Sequence, residues 1–248
     1  MIKSLYPCFQ HWSKNGGVYL VSDTHFKDLD RKYMGYHISN EDQWYIINDT
    51  CHKNDTLIHL GDVGDLEYIK RLKCYKVLIM GNHDQGKEKF QKKIEIIDLD
   101  GYSEKEREEM EQEGFIDFWS YDFTKPFIKG YKSNNLFDEV YSGPLWISQK
   151  LVLSHEPIVI EDPHFSMPIA FNIHGHDHGK NFWDDEYHLN ICQNVYGYIP
   201  LNLNQFIKGG HLKRVKDIHT LAKENAIAEK ETREILHEWY TDTGVENV

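Results

Sequence analysis

"KVLIMGNHD", residues 76–84, starts as five residues suited to a buried strand and ends as four suited to a ligand site. The same order recurs along the chain. "VYLV" (18–21) leads into "SDTH", "TLIHL" (56–60) into "GDVGD", "KLVLS" (150–154) into "HEP", and "IAFNI" (169–173) into "HGHDH". Short, nearly continuous apolar runs rich in β-branched and aliphatic residues predict strands buried on both faces. In open α/β sheets, ligands gather just beyond the carboxyl ends of the strands. Polar clusters in that position after each of these runs predict an α/β fold with one shared site.

The intervening segments supply the helices. "NEDQWYIINDTCHK" (40–53) places Trp44, Ile47 and, less cleanly, Cys51 at helical spacing, with Asn40 as its expected N-cap, and reads as a crossover helix. "DLEYIKRLK" (65–73) reads as a shorter one. Residues 92–148 have a different texture and are expected to form an insertion or cap-like segment. Within and beside it, 103–114 carries a capping-box pair in Ser103 and Glu106, and the aromatic stretch 115–131 is expected to pack into a local core. A C-terminal helix is expected at about 215–240, on the outside of the domain or against a partner chain.

Composition narrows the function classes. A length of 248 residues without a Pro/Gly/Ser linker fits a single domain, residues 1–248. Charged residues at 27% and a mean hydropathy of -0.63 fit a water-exposed surface, no apolar run is long enough to span a bilayer, and the first residues lack a secretory pattern. The expected location is the cytoplasm. Cys8, Cys51, Cys74 and Cys192 form no CxxC pair and read as free buried thiols. A net charge of -12 without a basic stripe disfavours long nucleic acid as a partner. A small anionic substrate stays compatible, because bound cations offset that charge locally. The sequence does not indicate an oligomeric state.

The strand-end clusters are Asp23-Thr24-His25, Gly61-Asp62, Gly81-Asn82-His83-Asp84, His155 and Gly175-His176-Asp177-His178. Imidazole, carboxylate and one amide oxygen suit first-row divalent ions, Mn²⁺ foremost, with Fe, Zn²⁺, Ni²⁺ or Co²⁺ compatible. The candidate ligands are too many for one tetrahedral ion, so two ions sharing a carboxylate fit better. Gly61, Gly81 and Gly175 each precede a ligand, where a left-handed turn or close backbone approach excludes a side chain.

These blocks, D-x-H, G-D, G-N-H-D, H and G-H-x-H in that order from Asp23 to His178, resemble the calcineurin-like metallophosphoesterase family, in the form of its small bacterial or phage members. "HLNICQNVYGYIPLNLNQFI" (188–207) resembles the strand and tail that often follow the last block. The resemblance implies a four-layer αββα sandwich of two mixed β-sheets with flanking helices. It implies that Asp23, His25 and His178 hold one metal ion, that Asn82, His155 and His176 hold a second, and that Asp62 bridges them. His83 would protonate or stabilise the leaving oxygen of the substrate, with Asp84 setting its tautomer. The implied reaction is hydrolysis of a phosphoester by a metal-bridging hydroxide. "GDVGDLEYI" lacks the arginine of the "xVDRG" segment found in protein phosphatases of the superfamily. A small nucleotide-like phosphodiester is therefore the expected substrate. The alternatives are a phosphomonoesterase and a metal-assisted nucleotide-binding protein without turnover. His59 and His174, inside strand-like runs, are expected to be buried beside the site rather than to ligate, and Asp177 is given no role.

Overall fold

The computed structural model describes residues 1–84, 94–97, 128–131, 136–159, 161–162, 167–179, 181, 185–216 and the helical positions 223, 227 and 230. The first three apolar runs are the parallel strands β1 (Val18–Val21), β2 (Thr56–His59) and β3 (Tyr75–Ile79), with Val18 opposite Thr56 and Thr56 opposite Tyr75. Their hydrophobicity is continuous because both faces are covered. Leu20, Ile58, Val77 and Ile79 enter one core, whereas Val21, Leu57 and Leu78 enter another with Ile47, Tyr68 and Ile69.

Ile47, Tyr68 and Ile69 belong to the two crossover helices, α1 (Asn40–Thr50) and α2 (Leu66–Arg71), which parallel strands require. The N-cap of α1 is Ser39, one residue before the expected Asn40. The Ser39 Oγ accepts the Asp42 N–H at 3.1 Å, and Asn40 turns its Oδ1 to the Lys27 N–H at 3.0 Å. An extended serine with a short side chain reaches the third amide of the helix, and the asparagine is left to tie down the preceding loop. Asp65 caps α2 by accepting the Glu67 N–H.

Three further strands, β4 (Ile94–Ile97), β5 (Ile128–Tyr131) and β6 (Glu139–Tyr141), extend this sheet beyond β3, and β13 (Leu201–Asn202) closes its other edge. The order is β13-β1-β2-β3-β6-β5-β4. A second mixed sheet comprises β7 (Leu145–Ser148), β8 (Leu151–Leu153), β11 (Phe171–His174) and β12 (His188–Asn190), in the order β12-β11-β8-β7. Between β8 and β11, β9 (Glu161–Asp162) and β10 (Met167–Pro168) pair with each other. The fourth and fifth apolar runs of the sequence are β8 and β11, which pair in parallel.

The fold is thus α/β with two mixed sheets. Leu151, Leu153, Phe171 and Ile173 from the second sheet share one core with Leu20, Ile58 and Val77 from the first. The N-terminal 3-10 helix Pro7–Ser13 adds Phe9 and Trp12 to that core, and α4 (Leu203–Lys208) adds Leu203 and Phe206, just after α3 (Gln193–Tyr196). Within 92–148, β4 to β7 belong to the two sheets, while the helix expected at 103–114 and the aromatic residues 115–127 lie outside the described residues. Of the expected helix at 215–240, Lys223, Ile227 and Lys230 are helical and exposed, and the remainder beyond Lys216 lies outside the described residues. All four cysteines are free and buried. No helix among the described residues is long and apolar enough to cross a membrane.

Candidate metal centre

The loops leaving β1 and β2 run side by side beyond the sheet. The Asp23 N–H donates to the Gly61 carbonyl at 2.9 Å, the His25 N–H to Asp62 at 3.0 Å and the Phe26 N–H to Val63 at 3.1 Å, which continues the parallel ladder into the site. Asp23, His25, Asp62 and His176 all have left-handed backbones, with φ of 53°, 42°, 57° and 70°. Each such residue costs on the order of 1–3 kcal/mol and persists only where its surroundings over-determine it. Gly61, at φ 97°, shows how close the packing is: a Cβ there would lie 2.5 Å from the Gly81 nitrogen and 2.7 Å from His155 Nδ1. A Cβ on Gly175 would lie 2.0 Å from Asp23 Oδ2.

On one side, four atoms able to ligate converge. His25 Nε2 is 3.9 Å from Asp23 Oδ1 and 3.5 Å from Asp62 Oδ2, and His178 Nε2 is 3.6 Å from Asp23 Oδ1. Ligands about 2.1 Å from one ion lie roughly 3–4 Å from each other. Asp23 Oδ1 and His25 Nε2 are buried without a hydrogen-bond partner among the described residues, although Asp23 is 0% and His25 1% exposed. Buried polar atoms left unpaired are costly and rare, and a cation between these two would satisfy both. The outer nitrogens are fixed: His25 Nδ1 faces Asp28 Oδ2 at 3.0 Å and His178 Nδ1 faces Asn194 Oδ1 at 2.9 Å. Both acceptors call for a proton on Nδ1, which leaves the Nε2 lone pair pointing into the site.

On the other side, His155 Nε2 lies 3.4 Å from Asp62 Oδ2, 2.8 Å from Asn82 Oδ1 and 3.2 Å from His176 Nδ1. His155 Nδ1 donates to the Leu60 carbonyl at 2.8 Å, so its Nε2 also offers a lone pair inward. Asp62 stands between the two groups, with Oδ2 near His25 and His155 and Oδ1 accepting the His83 N–H at 2.9 Å. All seven predicted ligands are brought together. Asp23, His25 and Asp62 form one group that could hold a metal ion, and Asp23, His178 and Cys192 form another.

Electrostatics act on two of these groups in the same direction, downward. Burial alone would raise the Asp23 carboxyl, but His155, the hydrogen bond from Ser22, His178 and the His176 N–H together hold it below the usual carboxylate range. Burial lowers His25 and outweighs the pull of Asp23, Asp28 and Asp62, which keeps the ring neutral. His59 is pushed down to about 3 by burial. It holds Thr24 Oγ1 at Nε2 and the Gly61 N–H at Nδ1, a structural role beside the site as expected. His174, fully buried, faces the Gly175 carbonyl through Nδ1.

The His83 side chain is 51% exposed, and its Nε2 is 4.0 Å from Asp62 Oδ2, at the mouth of the site. Asp84 lies beneath. Its described hydrogen bonds are to backbone: it accepts the N–H groups of Asp62 at 2.7 Å, Gly81 at 3.1 Å and Val63 at 3.3 Å. This carboxylate therefore fastens the second loop to the third. Burial and the neighbouring Asp62 raise it, against those three amides.

Several residues of the site escaped the sequence reading. Asp28 and Asn194 orient the candidate ligands His25 and His178, the Tyr36 hydroxyl donates to the Asp23 carbonyl, and Cys192 borders Asp23. A usable signal existed for two of them. "ICQN" (191–194) follows β12 as the other polar clusters follow their strands, and the Ser22–Cys192 bridge brings it beside the first loop.

No family model matches the chain, and no curated protein matches it. A crystal structure of a protein of unknown function from Aquifex aeolicus is similar over 77% of this chain and 98% of that chain, at 20% identity and a TM-score of 0.47.

Proposed function

We propose that the chain is a dinuclear metal-dependent phosphoesterase of the calcineurin-like kind that hydrolyses a small phosphodiester, built as a four-layer αββα sandwich. The observation that carries this reading is the pair of buried atoms without a hydrogen-bond partner among the described residues, Asp23 Oδ1 and His25 Nε2, set beside an Asp62 carboxylate shared with a second imidazole and amide group. In the first position Asp23, His25 and His178 would hold an ion, in the second Asn82, His155 and His176, with Asp62 common to both. Two such ions, Mn²⁺ foremost, would supply Lewis acidity and an activated water.

The protein's own groups do the rest. Asp62 keeps its geometry because Oδ1 is tied to the His83 N–H. That same tie sets the start of the His83 side chain above the carboxylate, where the ring reaches an ester oxygen and hands it a proton as it leaves. Asp84 holds the loops of Asp62 and His83 in register, so the proton donor and the bridging carboxylate keep a fixed separation.

The test is turnover of bis(p-nitrophenyl) phosphate and p-nitrophenyl phosphate with added Mn²⁺, together with metal counting. His83→Ala should retain two ions and lose about 10²–10⁴-fold in kcat. Asp62→Asn should lose the paired ions and about 10³-fold in activity. Wild-type protein that holds two ions yet is inert on both esters and on a nucleotide panel sinks the enzyme reading and leaves a binding protein.

A further inference from the structure

Beside the second ligand group is a half-open pocket of about 190 Å³, which Asn82 and His155 share with the metal centre. Its floor is Ile79 and Met80 from the end of β3, and its walls are the β6–β7 turn at Ser142, Gly143 and Pro144 and the segment Ser154–Ile158 after β8. That second wall is firmly held. Ile158 donates its N–H to Asn172 Oδ1 at 2.9 Å, His188 Nε2 donates to the Ile158 carbonyl at 2.9 Å, and Ser154 Oγ donates to the Glu156 carbonyl at 2.6 Å. The pocket is preformed rather than collapsed, and nothing in the chemistry derived above uses it.

We propose that this pocket receives the organic group of the substrate and restricts the enzyme to phosphoesters of a single ring-sized, uncharged alcohol. The inference rests on the phosphoesterase reading. A phosphorus seated over Asp62 has an ester oxygen on the Asn82 and His155 side, and the substituent on that oxygen enters the pocket. Size sets the first limit. A cavity of about 150 Å³ takes a benzene ring, and drug-sized ligands need roughly 300–1,000 Å³. One sugar or aromatic ring fits, and a dinucleotide does not. The lining sets the second. Ile79, Met80, Pro144, Pro157 and Ile158 offer apolar contact, while among the described lining residues the single charged side chain is the exposed Glu156. A carboxylate at the rim repels a second phosphate or any other anionic substituent.

The experiment is calorimetry of the full chain loaded with Mn²⁺, using phosphonates as probes. Phenylphosphonate should bind about tenfold more tightly than methylphosphonate, because the ring is taken out of water. 4-Carboxyphenylphosphonate should lose most of that advantage, and Glu156→Gln should restore it. A Cβ on Gly143 meets nothing within 4 Å, so Gly143→Phe fills space without displacing a neighbour and should bring the phenyl-to-methyl ratio close to one. Equal binding of the three probes to the wild type, or a phenyl preference that survives Gly143→Phe, overturns the pocket assignment. Protein with two bound ions that takes no phosphonate overturns the phosphoesterase reading and the pocket's role with it.

Discussion

Among the described residues, carboxylates are buried in two places, and they are satisfied in opposite ways. Glu139, 3% exposed on β6, is surrounded by donors: Trp12 Nε1 reaches both its oxygens at 3.1 Å, Tyr75 donates at 2.7 Å, and Tyr141 and His11 complete the set. Asp23, equally buried on the loop after β1, has one oxygen held by Ser22 and the His176 N–H and the other held by nothing described. A buried charge with every lone pair occupied is a fastening. One left with an open oxygen opposite an open imidazole could hold a cation, and it sits on a strained backbone of the kind found at functional sites.

The contrast is broken most forcefully at Glu139. Glu139→Ala strands the indole and two phenols in the interior and should cost about 3–5 kcal/mol. At 2–4 °C per kcal/mol for a chain of this size, that is a fall in Tm of about 6–20 °C, read by thermal denaturation, with the number of bound ions unaltered. A metal stoichiometry that falls in step with stability would mean that the two regions are not separable.

The next effect is the gain from metal. A ligand at 100 times its Kd stabilises the native state by about 2.7 kcal/mol, so Mn²⁺ should raise Tm by about 5–11 °C and a chelator should reverse the rise. Asp23→Asn sharpens the comparison further. It removes a buried charge and keeps an acceptor for Ser22 and His176, so the metal-free variant should melt within about 2 °C of wild type, or above it, while the Mn²⁺-induced rise disappears. A large loss of metal-free stability would give Asp23 the same structural role as Glu139.

The two regions also differ in how far they could be read. The candidate site was legible because each contributing loop announces itself locally: an apolar run, a glycine, then residues able to ligate, as in "LGD" or "MGNHD". Its supports were less so. Asp28 and Asn194 act on histidines through contacts that no short motif encodes. The Asp84 carboxylate also accepts backbone amides of two loops, a placement that depends on the Gly61–Gly81 approach. The Glu139 network was invisible. Its members lie in "CFQHWS", "CYKV" and "DEVYS", and His11 is separated from Glu139 by 128 positions. Strands β6 and β7 were missed with it, because Glu139 interrupts one run and both are only a few residues long.

The smallest predicted effect belongs to the rim of that network. His11, whose side chain is 40% exposed, faces the Glu139 carboxylate. Burial lowers its pKa, but the hydrogen bond and charge of Glu139 outweigh this and raise it above 6.5. Burial likewise pushes Glu139 up, and His11 with the two tyrosines brings it below 4.5. A raised histidine stabilises fully below 6.5, and the gain is lost as pH climbs through its folded value. A lowered carboxylate stabilises above 4.5, and the gain is lost as pH falls through its folded value. The pair should therefore produce a shallow maximum in Tm between about pH 4.5 and 6.5. Solvent screening at His11 limits the alkaline limb to a change of about 1–2 °C in Tm. His11→Ala should flatten that limb and keep the acid one, since Trp12, Tyr75 and Tyr141 still favour the ionised Glu139. If instead the acid limb vanishes in His11→Ala, the charge on Glu139 depends on the imidazolium alone, and the saturation that sets it apart from Asp23 is not what stabilises it.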